Sequence, residues 1–261
     1  AISTQENASA PVRPASDIRL FSKSSLITFQ AASTNRAIKS SVASWPGCST
    51  SSAKPGARPV VSGSAPSVVP TNGSPRSGGN TDIVIDKILE AVRNNGASVD
   101  KIIINDLDFK YCQECDDPDE NGNCNFKDDM STVYKKFKEA NAVILASPIF
   151  FGSISGQAKM MIDRIQCAWR AKYILKKDAF PEKKIGAFIA VAASNRRDFF
   201  ENAKSIIKNL FATLNIEYKE ELFFSGIDEK GEILKHPDLL EKAYKLGESI
   251  SRALIKGGSN G

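Results

Sequence analysis

The sequence has no apolar run that approaches the roughly 18–20 residues of a membrane-spanning helix. Its longest apolar runs, Ala142 to Ala146 and Ile185 to Ala193, have the length of β-strands. Hydrophobic side chains make up 41% of the 261 residues, which is ordinary for a globular chain with one large domain or two small ones. We therefore expect no membrane partner.

Histidine is nearly absent and cysteine is sparse. The only histidine, His236, precedes a proline at a helix start, which favours a structural role over a catalytic one. An odd number of cysteines does not suit a disulfide framework and favours a reducing compartment, hence the cytoplasm. The five cysteines are Cys48, Cys112, Cys115, Cys124 and Cys167.

Excess basic charge is missing from most of the chain. Residues 1–70 carry seven Lys or Arg against two acids, whereas residues 71–261 carry as many acids as bases. The formal net charge of +5 therefore belongs to the first segment. A nucleic-acid partner gains no support from this distribution, and we expect none.

Residues 1–69 are rich in Ser, Ala and Pro and have no sustained helical or strand period. Such a segment buries too little surface to offset the entropy of ordering, so we expect a disordered leader. Its Ser-rich, acid-poor composition is typical of an organellar transit peptide, which would place the protein in an organellar matrix. The alternative is an artefact of the gene model. We also expect residues 257–261 to form a flexible tail.

From residue 70 onward, strand and helix patterns alternate. Ala142 to Ala146 and Ile185 to Ala192 are apolar on both faces, as parallel sheets require, and Val99 to Ile104 is a β-branched run. This alternation predicts an α/β domain over residues 70–256 with a doubly wound, five-stranded parallel sheet in the flavodoxin-like order 2-1-3-4-5. Its central first strand would lie near Ser67 to Asn72. Pro70 makes us expect that strand to be short or irregular.

The segment from Asn72 to Thr81 joins this first strand to the first helix. Its glycines permit positive φ angles, and the helix N-terminus behind it favours an anion. The loop lacks both the Gly-Lys-Ser/Thr of a P-loop and the G-x-G-x-x-G of a dinucleotide loop. The alternative is a flexible turn with a helix cap. The candidate phosphate-binding residues are Ser74, Arg76, Ser77, Asn80 and Thr81.

A second loop, Ser147 to Ser153, follows the strongest buried strand. A flat aromatic ligand needs apolar walls beside its faces and a backbone close to its edge. The alternative is that the two phenylalanines pack the loop onto the core. The candidate ring-binding residues are Pro148, Ile149, Phe150, Phe151 and Gly152.

Gly73 to Thr81 and Ser147 to Ser153 resemble the two FMN loops of the NADPH-dependent FMN reductase and iron–sulfur flavoprotein families. The resemblance extends from about Asn72 to Ile250. It implies that the first loop holds the FMN phosphate, that residues 148–152 line the flavin ring and that a third loop contributes Ser194. It also implies hydride transfer from NAD(P)H to FMN and on to a small acceptor, in a homodimer or homotetramer. No side chain is expected to act as a catalytic acid or nucleophile.

The spacing Cys112-x2-Cys115-x8-Cys124 makes these three residues candidate metal ligands. By the resemblance, iron–sulfur flavoproteins carry four closely spaced cysteines here, and this chain has Pro118 where the third would be. A [4Fe–4S] cluster needs four ligands. Cys167 lies far away in sequence, on an expected helix, so we expect a cluster-free flavin reductase. The alternatives are an iron–sulfur electron carrier and a non-enzymatic flavin-binding redox module.

Overall fold

The computed structural model describes residues 65–115 and 124–258, which form strands and helices in alternation. The strands are β1 (Ser67–Asn72), β2 (Ser98–Val99), β3 (Ile102–Ile103), β4 (Ala142–Phe150), β5 (Ser153–Ile154), β6 (Lys184–Ala192) and β7 (Ile216–Ser225). The α-helices are α1 (Asn80–Asn94), α2 (Met130–Glu139), α3 (Gly156–Arg164), α4 (Gln166–Tyr173), α5 (Arg197–Thr213) and α6 (Pro237–Gly258).

The sheet has the order β2-β1-β4-β6-β7, and these strands are all parallel. β3 continues β2 along the same side of β1, and the short β5 pairs antiparallel with the end of β4. The expected order 2-1-3-4-5 numbers the five main strands along the sequence. It is confirmed when β2 and β3 are counted together as the second strand. The expectation of one continuous strand from Val99 to Ile104 was wrong.

Pro70 explains the break. The Ser98 N–H donates to the Pro66 carbonyl (2.9 Å) and the Asp100 N–H to the Val68 carbonyl (3.1 Å), so these residues of β1 face β2. Every second residue of β1 faces β2, so Pro70 does as well, and it has no N–H to donate. The ladder therefore stops at Val99 and resumes at Ile102. β1 itself is regular, and it pairs with β4 from Val68 to Asn72.

Helices cover both faces of the sheet, as a doubly wound fold requires. One core lies between the sheet and helices α2 to α5, and the other between the sheet and helices α1 and α6. The middle strands β4 and β6 are buried on both faces over most of their length. α1 and α6 pack closely, because Gly247 of α6 lies against the Ile88 carbonyl of α1.

The ordered elements extend slightly past the expected domain limits. β1 begins at Ser67 rather than residue 70, and α6 continues to Gly258 rather than residue 256. The rest of the expected leader, residues 1–64, and residues 259–261 of the expected tail lie outside the described residues. None of the helices in the described ranges is long and apolar enough to cross a membrane.

Gly247→Ala should destabilise the domain by about 1–3 kcal/mol through overpacking. A Cβ at this position would lie 2.3 Å from the Ile88 carbonyl oxygen and 2.8 Å from the Ala91 Cβ, so α1 and α6 must separate. Urea unfolding measures the loss. Gly156→Ala is the matched control, because a Cβ there meets no atom within 4 Å. Equal stability of the two variants would contradict the packing described.

Candidate functional site

A cleft of about 270 Å³ opens at the carboxyl ends of the parallel strands, where ligands of open α/β sheets bind. The phosphate loop after β1 and the ring loop after β4 meet there. The predicted site residues that line the cleft are Ser74, Arg76, Asn80, Thr81, Pro148, Ile149, Phe150 and Phe151.

Three predicted site residues do not line this cleft. Ser77 is exposed on the phosphate loop, and Gly152 is buried against the Phe199 ring. Ser194 accepts a hydrogen bond from the Arg196 backbone N–H (3.2 Å), and the third loop presents Ala193 to the cleft instead. The role of each predicted residue as an FMN contact stays a prediction.

The segment after β7 forms a further wall that the sequence analysis missed. Ile227, Asp228 and Lys230 line the cleft. The Asn80 amide ties this segment to α1, because its nitrogen donates to the Glu229 carbonyl (2.8 Å). The available signal was topological, since β7 ends at the same edge of the sheet as β1, β4 and β6.

The phosphate loop has a defined backbone. The Ser74 N–H donates to Asn72 Oδ1 (2.9 Å), and the Arg76 N–H donates to Ser74 Oγ (3.2 Å). Gly78 has a φ of +64°, and a Cβ on Gly79 would lie 3.0 Å from the Arg76 carbonyl. Gly79 caps α1 without any side-chain hydrogen bond, so the N–H groups of the first turn face the cleft as an anion site.

Asp82 of α1 holds this loop through hydrogen bonds at both of its ends. Its carboxylate accepts hydrogen bonds from the Asn72 amide and the Gly78 N–H (both 2.9 Å) and pairs with Lys101 at 2.6 Å. Burial alone would raise the pKa of Asp82, but the hydrogen bonds from Lys101 and Gly78 outweigh it and hold the pKa below its usual value. Lys101 comes from the gap between β2 and β3, and it also pairs with Asp86 at 2.6 Å.

The ring loop is a tight hairpin between β4 and β5. Its two turn residues, Phe151 (φ +49°) and Gly152 (φ +74°), both have positive φ, as a type I′ turn requires. A Cβ on Gly152 would lie 2.9 Å from the Phe199 ring. Phe150 is 40% exposed and Phe151 fully exposed, so neither packs onto the core. A bulky residue held at positive φ is strained, and such strain concentrates at functional sites.

Two buried serines join the loops. Ser155 Oγ donates to the Gly73 carbonyl (2.5 Å), and the Ser155 N–H donates to Ser147 Oγ (2.9 Å). The Gly73 N–H donates in turn to the Ala146 carbonyl (2.8 Å). Ser155 also caps α3 by accepting from the Ala158 N–H (3.2 Å). The phosphate and ring loops are therefore held as one unit. Sequence reasoning missed Ser155, whose local pattern indicated only a helix start.

The candidate metal ligands lie away from the cleft. Cys112, Cys115 and Cys124 line a second cavity of about 320 Å³, and Cys167 of α4 lines it too. Cys167, which is distant in sequence, reaches this cavity because it lies in the first turn of α4, directly after α3. Within the described ranges, no three cysteine, histidine or acidic side chains are arranged to hold a single metal ion.

Arg164 belongs to this second cavity rather than to the helix surface. It is 1% exposed, and its guanidinium donates to the Asp128 carboxylate (2.6 Å), the Lys110 carbonyl (2.6 Å) and Cys124 Sγ (3.3 Å). Its sequence neighbour Asp163 pairs with Lys159 instead.

The sheet order and the cleft at the carboxyl edge of its strands define a flavodoxin-like protein. Residues 66–213 match the sequence model of the NADPH-dependent FMN reductase family, and the chain belongs to that family.

Known relatives agree with this assignment. An iron–sulfur flavoprotein of Methanocaldococcus jannaschii is 35% identical over 127 residues, which cover 49% of this chain and 62% of the relative. One of Methanosarcina thermophila is 30% identical over 123 residues, which cover 47% and 61%. The chain thus matches about three fifths of these relatives' length. An NAD(P)H:quinone oxidoreductase from Methanothermobacter marburgensis shares the fold, with a TM-score of 0.55, 13% identity and coverage of 71% and 96%.

Asp82→Asn should reduce the dependence of stability on acid pH. Because the folded-state pKa of Asp82 lies below its usual value of 3.8, its stabilisation is present above that value and is lost as pH falls through the folded-state pKa. The free energy of unfolding, measured from about pH 5 to pH 2, should fall less steeply in the variant. Asp86→Asn, which removes the other carboxylate that contacts Lys101, is the control. A wild-type slope in Asp82→Asn would refute the support described.

Phe151→Asn should stabilise the protein by about 1 kcal/mol, because Asn tolerates the left-handed region better and Phe151 buries nothing. Urea unfolding measures the gain. Lys176→Asn is the control, since Lys176 also has a positive φ (+56°) and does not line the cleft, and it should stabilise the protein by a similar amount. Unchanged or lower stability of Phe151→Asn would contradict the backbone strain described.

Proposed function

We propose that the protein is an FMN-dependent oxidoreductase that takes hydride from NAD(P)H and passes electrons to a small acceptor, such as free flavin, a quinone or a metal ion. The proposal rests on one observation: the N-terminus of α1 and the exposed aromatic hairpin between β4 and β5 line the same cleft. Membership of the FMN reductase family makes FMN the cofactor that this cleft has to accommodate.

The phosphate end of FMN fits the first loop. The uncapped N-terminus of α1 offers backbone N–H groups, and Ser74 and Thr81 add hydroxyl groups. Arg76 is exposed and forms no ion pair within residues 65–115 and 124–258, so its charge is available to a phosphate dianion. Lys230 brings a second positive charge from the segment after β7, and its side chain lies beside Gly78 of the phosphate loop.

The ring end of FMN fits the hairpin. Pro148 and Ile149 provide apolar wall, and Val191, the neighbour of Pro148 on β6, and Ile227 extend it. Bound FMN supplies a ring that accepts hydride and gives up electrons, and the protein binds and orients it. The rigid hairpin fixes the ring's position, and the exposed Phe151 side chain offers a surface on which a planar nicotinamide can stack.

The charged groups of the cleft are those of a binding site. Its ionisable lining residues are Arg76, Asp228 and Lys230. Hydride transfer between nicotinamide and flavin needs no protein nucleophile, because the flavin itself accepts the hydride. The side chains therefore contribute affinity and orientation rather than covalent chemistry.

An iron–sulfur electron carrier is the second candidate, because four cysteines line one cavity and the relatives above are named iron–sulfur flavoproteins. NAD(P)H oxidation by the FMN-loaded protein, measured anaerobically with a quinone or free flavin as acceptor, distinguishes the two. Rapid turnover favours the oxidoreductase. Flavin that NAD(P)H does not reduce favours the carrier.

Ser74→Ala combined with Arg76→Ala should weaken FMN binding by about 10- to 100-fold, since hydrogen bonds to a charged group contribute about 1.5–3 kcal/mol. Quenching of flavin fluorescence measures the affinity. Riboflavin, which has no phosphate, should bind both proteins equally, and this comparison separates phosphate contacts from general damage to the cleft. Arg93→Ala, in the last turn of α1, is the control. Unchanged FMN affinity in the double variant would reject the phosphate loop.

A further inference from the structure

A cavity of about 540 Å³, here called the α2 cavity, is lined by α2 and by residues 179–184, which lead into β6. Lys184, the first residue of β6, lines this cavity, whereas Val191 of the same strand lines the flavin cleft. Seven residues of a parallel strand span about 23 Å, so the two spaces are separate. Pockets for small molecules usually measure about 300–1,000 Å³, and the α2 cavity falls within that range.

Lys184 brings a buried positive charge to the α2 cavity. It is 5% exposed, and it forms no ion pair within residues 65–115 and 124–258. An ammonium group can donate three hydrogen bonds, and that of Lys184 donates one to the described residues, to the Glu182 carbonyl (3.1 Å). Burial lowers the pKa of Lys184, although the charges of Glu182 and Asp178 oppose this effect. A buried charge without a counterion is costly, and an anionic ligand would supply that counterion.

Two further lysines of α2 line the cavity. Lys135 is exposed and forms no ion pair in the described part of the chain. Lys138 Nζ lies 5.5 Å from the centroid of the Phe180 ring. Glu139 and Glu182 also line the cavity, but both are exposed, so water solvates their charges. The buried charge of the lining is therefore positive, and the cavity favours an anion.

The remaining lining of the α2 cavity is largely apolar. Tyr134 and Phe180 are buried, and their ring centroids lie 6.4 Å apart. The Tyr134 hydroxyl donates to the Arg164 carbonyl, so its donor is already used and its ring adds apolar surface. Met130 and Pro181 extend this wall. Two aromatic rings beside aliphatic side chains are a suitable surface for the flat, apolar body of a ligand.

We propose that the α2 cavity binds a small aromatic carboxylate, whose charged group pairs with Lys184 and Lys135 and whose ring packs against Tyr134 and Phe180. An inorganic anion would neutralise Lys184 but would leave most of the cavity to water, because one water molecule occupies only about 30 Å³. A neutral aromatic molecule would leave the buried ammonium group without a counterion. The site lies outside the flavin cleft, so it does not depend on the proposed oxidoreductase activity.

Benzoate binding to the FMN-loaded full chain, followed by a ligand-detected NMR titration, tests the proposal. Benzyl alcohol, which has the ring without the charge, and inorganic phosphate should both bind about 10-fold or more weakly than benzoate. Lys184→Met should weaken benzoate binding about 10-fold or more. Lys135→Met should weaken it about two- to fivefold, because Lys135 is exposed. Lys183→Met, at an exposed neighbour that does not line the cavity, is the matched control and should bind benzoate as the wild type does.

FMN affinity is measured on every variant, and an unchanged value shows that the variant is folded. If Lys184→Met loses FMN, the result for Lys135→Met decides, because that substitution lies on the exposed side of α2. Wild-type protein that does not bind benzoate would overturn the proposal, as would equal affinities of the wild type and the lysine variants. Equal affinities for benzoate and phosphate would do the same. Benzoate that binds only after FMN is removed would also overturn it, since that result places benzoate in the flavin cleft.

Discussion

The hydrogen bond that Pro70 cannot donate shapes the part of the sheet on which the flavin cleft depends. Its absence divides the neighbouring strand, and the break places Lys101 where its ammonium group meets the Asp82 carboxylate. Asp82 in turn holds the Asn72 side chain and the Gly78 N–H, which fix both ends of the phosphate loop. A residue expected to weaken the first strand thus leaves that strand intact and positions the support of the loop that follows it.

The flavin cleft and the cysteine cavity lie at opposite ends of one short helix. Ser155 begins α3 and donates to the phosphate loop, while Arg164 ends it and donates to Cys124. Nine residues of α-helix span about 13 Å, so both sites are built on the same rigid element. The buried serines tie that element to the ring loop as well. The geometry of the flavin cleft and that of the cysteine cavity therefore depend on the same packing of α3 against the sheet.

Local pattern was enough to predict much of this architecture. Continuous apolar runs identified β4 and β6, and glycine-rich or aromatic segments after strands identified both loops, because the carboxyl edge of a parallel sheet is shared. What local pattern could not predict is long-range contact. Lys230 reaches the cleft and Cys167 reaches the cavity through the path of the chain, and Arg164 is buried although its neighbour Asp163 pairs with Lys159 at the surface. The break between β2 and β3 could not be predicted, because the sequence does not show which side of β1 Pro70 faces.

The shared helix has a consequence for substitutions at the cysteine cavity. Because α3 is continuous from the Ser155 cap to Arg164, a change that displaces its C-terminal end also moves the serine that holds the phosphate loop. The packing of the cavity and the geometry of the cleft are therefore linked through the backbone of one helix.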